Sequence, residues 1–159
     1  MFGILTASRN GKDTGLSSVL VAVSGDLADD PAVRLGCEML APRGTLHLLY
    51  VIEVERGLPL DAEIDPATAK GEDVLRHVEE IARESKREAE AELLQSRQAG
   101  SAVVQEAVDK EVDAIVLGVP YKTRFGSFSI GEAAPYILKN APCNVVLWRD
   151  KGPEGSGGQ

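Results

Sequence analysis

The chain has 159 residues, 43% of them hydrophobic and 26% charged, which suits one compact unit with a real hydrophobic core and excludes disordered, collagenous and disulfide-scaffold classes. Seventeen Lys and Arg stand against 25 Asp and Glu, a formal charge of −8, and that sign works against sequence-independent nucleic-acid binding and against an anionic membrane surface. No apolar run approaches the roughly 18 residues of a membrane span, and residues 2–7 are too short and too weakly flanked by positive charge for a secretory signal, so a cytoplasmic protein with no membrane insertion is expected.

Residues 1–17, with Gly11, Lys12 and Asp13, read as an extended N-terminal arm, and the globular domain is expected over 18–150. Val19–Val23 is the first of four nearly continuous apolar runs of strand length, the pattern of strands covered on both faces. Asp29 and Asp30 are placed to cap a helix over Pro31–Leu40, which carries Val33, Leu35, Cys37 and Leu40 ahead of the breaker Pro42. Leu46–Val51 is the second strand. The stretch Glu55–Gly71, with two prolines, is long for a strand-to-helix connection and reads either as a lid or as a solvated loop. From Glu72 onward Val74, Leu75, Val78, Ile81, Ala82, Ala89 and Leu93 recur at helical steps, giving an amphipathic helix, and a weak strand follows over Glu92–Arg97.

Ser101 is placed to cap a helix to about Lys110, with Val104, Ala107 and Val108 facing inward. Ala114–Leu117 and Val145–Trp148 are the last two apolar runs, separated by the loop Val119–Ile130 and a helix over Gly131–Asn140. Residues 151–159 are glycine-rich and read as a flexible tail. Regular alternation of five strands and four helices implies a mainly parallel sheet with helices on both faces. Cys37 and Cys143 lie outside any C-x-x-C pattern and read as reduced, packed thiols. Neither His47 nor His77 has a second histidine or a cysteine at metal-ligand spacing.

In an open parallel sheet the binding crevice lies beyond the carboxyl ends of the strands, where strand order reverses. Two segments compete for that place: Ser24, Gly25 and Asp26 after the first strand, and the loop after Gly118. The second holds Lys122, Arg124, Gly126, Ser127 and Ser129 and then Gly131 at a helix start, so that backbone donors, a helix dipole and two cations converge on an anion. A solvated basic turn with a glycine cap explains the same composition.

The strands Val19–Val23 and Leu46–Val51, the segment Asp113-Ala114-Ile115-Val116-Leu117-Gly118 and the closing Asn140-Ala141-Pro142-Cys143-Asn144-Val145-Val146 together resemble the universal stress protein family over roughly residues 17–150. The resemblance implies an adenine-nucleotide alpha-hydrolase-like fold, an open five-stranded parallel sheet in the order 3-2-1-4-5 with helices on both faces. Members that bind ATP carry G-x-x-G, nine residues, then G followed by Ser or Thr. Here Gly118 and Gly131 match the first and third glycines, residues 122–130 keep the spacing, Tyr121 replaces the second glycine and Glu132 the hydroxyl residue. The family's acidic position after strand one, beside Val23, is Ser24 here, with Asp26 two residues on, and the adenine-contacting position is Val51, whose backbone remains able to serve a base. A carboxylate about 5 Å from a phosphate charge repels it by roughly 3 kcal/mol at an effective dielectric near 20, against about 0.3–1 kcal/mol gained from a helix terminus. Glu132 thus disfavours an unshielded triphosphate, although an acid in a first helical turn also stabilises its own helix. The Tyr121 ring either stacks on a purine or plugs the phosphate space.

On these grounds the expectation is a non-enzymatic regulatory module that senses an adenine nucleotide (ATP, AMP or a cyclic nucleotide) through Val23, Ser24, Val51, Gly118, Tyr121, Lys122, Arg124, Gly131 and Glu132. In the strand order that the resemblance implies, Val145, Val146, Leu147 and Trp148 occupy an apolar edge, which either meets its copy in a homodimer, as the resemblance implies, or is covered by the N-terminal arm of the same chain. The alternative is a stress-response or transporter-regulatory domain with a closed crevice, acting through protein contacts alone.

Overall fold

The computed structural model describes residues 15–124 and 126–151, the side chains of 122–124 and 127 excepted. Most of the expected arm and nearly all of the tail therefore lie outside the described residues. Strands β1 (Leu16–Val23), β2 (Leu40–Glu53), β3 (Ala89–Ser96), β4 (Ala114–Val119) and β7 (Asn144–Arg149) form one parallel sheet in the order β3-β2-β1-β4-β7, the sheet order expected from the resemblance. A small antiparallel hairpin, β5 (Lys122–Arg124) with β6 (Ser127–Ser129), stands apart from it.

The strict alternation of side chains along β1 decides which helix packs where. Val19, Val21 and Val23 point into a core shared with α1 (Asp29–Met39) and α2 (Asp65–Glu84), built around Val33, Leu46, Leu48, Val78 and Val116. Leu20 points into the opposite layer with α3 (Ala99–Asp109) and α4 (Ala133–Asn140), where Leu49, Val103, Ala107, Ile115 and Ile137 meet. Both faces are covered, which is why these strands read as unbroken apolar runs rather than alternating ones.

Several boundaries differ from those the periodicity predicts. The expected caps Asp29 and Asp30 lie inside the first turn of α1; Ala28 occupies the cap position, with no side-chain capping bond. Helix α2 begins at Asp65, with Pro66 in its first turn, and ends at Glu84, so Ala89 and Leu93 belong to β3. It stops because Lys86 adopts a left-handed φ of 60°, letting the Arg87 N–H bond back to the Ala82 carbonyl and the Lys86 N–H to Arg83, a Schellman closure that no glycine announces. The Arg87 guanidinium then donates to the carbonyls of Leu40, Ala41 and Pro42, which holds the irregular beginning of β2 against the end of α2.

Helix α3 starts two residues before Ser101, whose hydroxyl donates to the Gln98 carbonyl instead of capping. The cap is supplied from a distance: the Glu53 carboxylate at the end of β2 accepts from the Ala99 N–H at 2.9 Å. Ala107 faces inward as expected, together with Val103, whereas Val108 is 48% exposed. The expected lid is no free lid, for residues 65–71 are the start of α2. The segment before them is stitched down by Gln95, which donates to the carbonyls of Leu60 and Ala62, and by Arg97, which donates to those of Val54 and Glu55. Cys37 is buried and Cys143 half-buried, and burial pushes both thiols above their ordinary range, so they rest as packed, protonated thiols. His77 is exposed against Asp30 at 2.9 Å. His47 is buried within β2, where loss of water lowers its proton affinity.

Candidate functional site

Beyond β1 the chain turns toward the α1 layer, and beyond β4 it turns the other way into the hairpin. That divergence leaves a cavity of about 500 Å³ at the carboxyl ends of the two strands, within the range of small-molecule sites. Its back wall is Ala22, Val23, Leu117, Gly118 and Val119 at the strand ends, extended sideways by Leu49 and Val51 of β2. Ser24 and Asp26 form one rim, Pro120 and the segment Ser129–Ala134 the other, and Ala99, Val103 and Ile137 close the floor.

Two backbone features shape it. A Cβ on Gly118 would lie 2.3 Å from the Ala28 carbonyl oxygen, so the first turn of α1 rests directly on the backbone of β4 and only glycine permits that approach. Gly131 has φ of +74° and donates its N–H to the Ser129 hydroxyl at 3.3 Å, turning the chain from the hairpin into α4.

The rim beside β1 is held by a buried acid. Asp29 is 3% exposed, and its carboxylate accepts from the Ser24 N–H at 3.2 Å and the Gly25 N–H at 2.7 Å. Burial outweighs these bonds and, with help from neighbouring Asp26 and Asp30, raises its pKa from 3.8 to about 6. The turn so fixed presents Ser24 and Asp26 to the cavity, with the Ser24 hydroxyl donating to the Asp26 carboxylate at 2.9 Å. Asp29 was assigned to helix capping by the sequence pattern; its office is to tie down this turn.

Of the residues expected at the site, Val23, Ser24, Val51, Gly118, Gly131 and Glu132 line the cavity together. Tyr121 does not line the cavity, and the expectation that its ring plugs the space is corrected. Its ring stacks on Phe128 with centroids 5.4 Å apart, and the Arg149 guanidinium lies over both rings at 5.6 and 5.8 Å. These contacts set the Tyr121 ring beside the hairpin residue Phe128 and the last residue of β7. Lys122 and Arg124 lie on β5, and the roles expected of their side chains fall outside the described residues. Ser129, singled out in the candidate loop, also lines the cavity, whereas Ala99, Val103 and Ile137 line it without having been singled out; these three come from the α3–α4 layer, and only the shared strand face with Leu20 and Leu49 hints at them. Among the described residues no group of three or more His, Cys, Asp or Glu is arranged to hold a metal ion, and no helix is long and apolar enough to cross a membrane.

A doubly wound parallel sheet with an open crevice at the reversal of strand order places the chain in the α/β class of folds. Within that class, the sequence profile of the Universal stress protein family matches residues 16–149, and the chain belongs to this family. Universal stress protein MJ0531 of Methanocaldococcus jannaschii is 28% identical over 148 residues, 87% of this chain and 85% of the relative. The fold is similar to that of a universal stress protein from Archaeoglobus fulgidus in complex with dAMP (TM-score 0.63, 18% identity, 82% of this chain and 95% of that one). It is also similar to an Arabidopsis thaliana universal stress protein family protein with AMP bound (TM-score 0.62, 20% identity, 87% and 97%).

Proposed function

We propose that this chain is a regulatory module that binds an adenine nucleotide in the crevice between β1 and β4 and acts by binding rather than catalysis. The observation that carries the reading is the open cavity beside Gly118, with Val51 against its apolar side and Ser24 and Gly131 on opposite rims. A closed-crevice scaffold needs that space filled, and the Tyr121 ring expected to fill it is stacked elsewhere. Membership of the family and the AMP and dAMP held by proteins of similar fold favour an adenine ligand. A non-catalytic role is favoured by the described lining, which offers two carboxylates, Asp26 and Glu132, and no histidine or cysteine to act as base or nucleophile. Titration calorimetry with AMP is expected to give saturable heat at or below millimolar ligand. Absence of heat with AMP, ATP and cyclic AMP alike would end the nucleotide reading.

The same proposal includes a homodimer through β7. In the sheet order β7 is an edge strand, with Leu147 38% and Trp148 41% exposed, and an apolar edge pairs readily with a second copy across a two-fold axis. Val146→Lys is expected to sediment as a folded monomer where the parent sediments as a dimer; an unchanged dimer refutes this interface.

A further inference from the structure

We infer that Asp29 is a positioning residue that gates the cleft: its ionised carboxylate holds the rim turn in the shape that admits a ligand, and a proton on that carboxylate loosens the turn and lowers affinity. This rests on the adenine-binding reading above and adds the regulation of that same site. Asp29 is 3% exposed and lies behind the cavity lining, so it acts on a ligand only through the backbone it holds. The Ser24 N–H lies 3.2 Å from both carboxylate oxygens, and the Gly25 N–H lies 2.7 Å from one of them. Ser24 and Asp26 line the cavity on either side of Gly25, and the Ser24 hydroxyl donates to the Asp26 carboxylate, so the three residues form one rim.

A carboxylate accepts at both oxygens, whereas the neutral acid carries a donor on one of them. With a proton taken up from solvent, Gly25 keeps the closer oxygen, while the Ser24 N–H must share that oxygen and faces an O–H at the other. The bonds that remain lose their charge assistance, and a ligand then has to order the turn at the expense of its own affinity. Burial places this exchange at a pH of about 6, and Asp26 and Asp30 also favour the protonated form. From α2, the Lys70 side chain comes within 3.3 Å of where a Cβ on Gly25 would lie, and the His77 ring pairs with Asp30 at 2.9 Å. Strands β1 and β4, against which α1 packs, carry no titratable side chain.

Calorimetry with adenosine, which has no phosphate to titrate, tests this at about pH 7.5 and about pH 5. A group titrating at about 6 is nearly all ionised at the first and about one-tenth ionised at the second. The dissociation constant is therefore expected to rise about tenfold on acidification, and at least about threefold where the protonated form keeps some affinity. Asp29→Asn, neutral throughout, is expected to bind at the higher pH as weakly as the parent does at the lower, with no change between them. His77→Gln is expected to keep the parent's profile. Should urea unfolding show the Asn variant to be unfolded, the amide shifts of Ser24 and Gly25 in the parent decide: both are expected to titrate together with a midpoint near 6. A parent affinity that falls by less than about threefold or rises on acidification, a profile kept in Asp29→Asn or lost in His77→Gln, or amides that do not titrate overturns the gate while leaving the adenine site standing. If adenosine fails to saturate at either pH, the adenine reading and the gate fall together.

Discussion

Replacing Gly118 by alanine is expected to lower the unfolding free energy by about 3 kcal/mol and to abolish ligand binding at millimolar concentration. The added Cβ would sit 2.3 Å from the Ala28 carbonyl oxygen and 2.7 Å from its carbon. Both are backbone atoms, so no side-chain rotation relieves the clash, and α1 must shift as a body. That shift carries Asp29 and the Ser24–Gly25 turn with it, because the Asp29 carboxylate is bonded to both N–H groups. The rim of the cavity is thereby lost together with the packing. Gly57→Ala is the control, since nothing lies within 4 Å of its added Cβ, and it is expected to stay within about 0.5 kcal/mol of the parent. Urea unfolding of the two variants decides the matter: equal stability would mean that the contact between β4 and α1 does not constrain the fold.

The second large effect is a pH dependence centred on Asp29. Its pKa in the folded chain is raised to about 6 from 3.8, so the native state holds the proton more tightly than the unfolded chain does. The stability it contributes is fully present below about 3.8 and is lost as pH rises through about 6. The whole difference amounts to roughly 3 kcal/mol, with about 1–2 kcal/mol of it appearing between pH 7.5 and 5. Other carboxylates titrate too, so the clean quantity is the parent compared with Asp29→Asn, whose amide stays neutral and still offers an oxygen to the Ser24 and Gly25 N–H groups. Parent stability minus variant stability is expected to rise by about 1–2 kcal/mol from pH 7.5 to 5, read by denaturant unfolding at each pH. A flat difference would mean that the carboxylate is as well hydrated in the folded protein as in the unfolded one.

The central sheet was legible because β1, β2 and β4 are covered on both faces and carry unbroken apolar runs at strand length, and the edge strand β7 carries such a run although none of its residues is fully buried. The limits of α2 were not, since Ala89 and Leu93 continue a spacing of four that serves a helix and the alternate positions of a strand equally well. Only the left-handed Lys86 separates the two, and lysine gives no sign of it. The hairpin escaped notice because β5 and β6 have three residues each, too few for an alternation to show. At the site, Ser24, Gly118, Gly131 and Glu132 could be placed because each sits at a strand end or helix start whose position follows from the chain order. Tyr121 was misplaced because its position depends on Phe128 and Arg149, one across the hairpin and one on β7. Asp29 shows the same limit, since its partners are chosen by the fold of the turn and not by its place ahead of a helix.

The central claim is that an adenine ligand occupies the crevice between β1 and β4, and mapping backbone amide shifts during titration with AMP tests it most directly. Ser24, Val51, Gly118 and Gly131 are expected to move together and saturate at one concentration, with Gly57 and Leu58 in the β2–α2 connection unmoved. Shifts confined to the exposed edge of β7, or none at the four cleft positions, would contradict it.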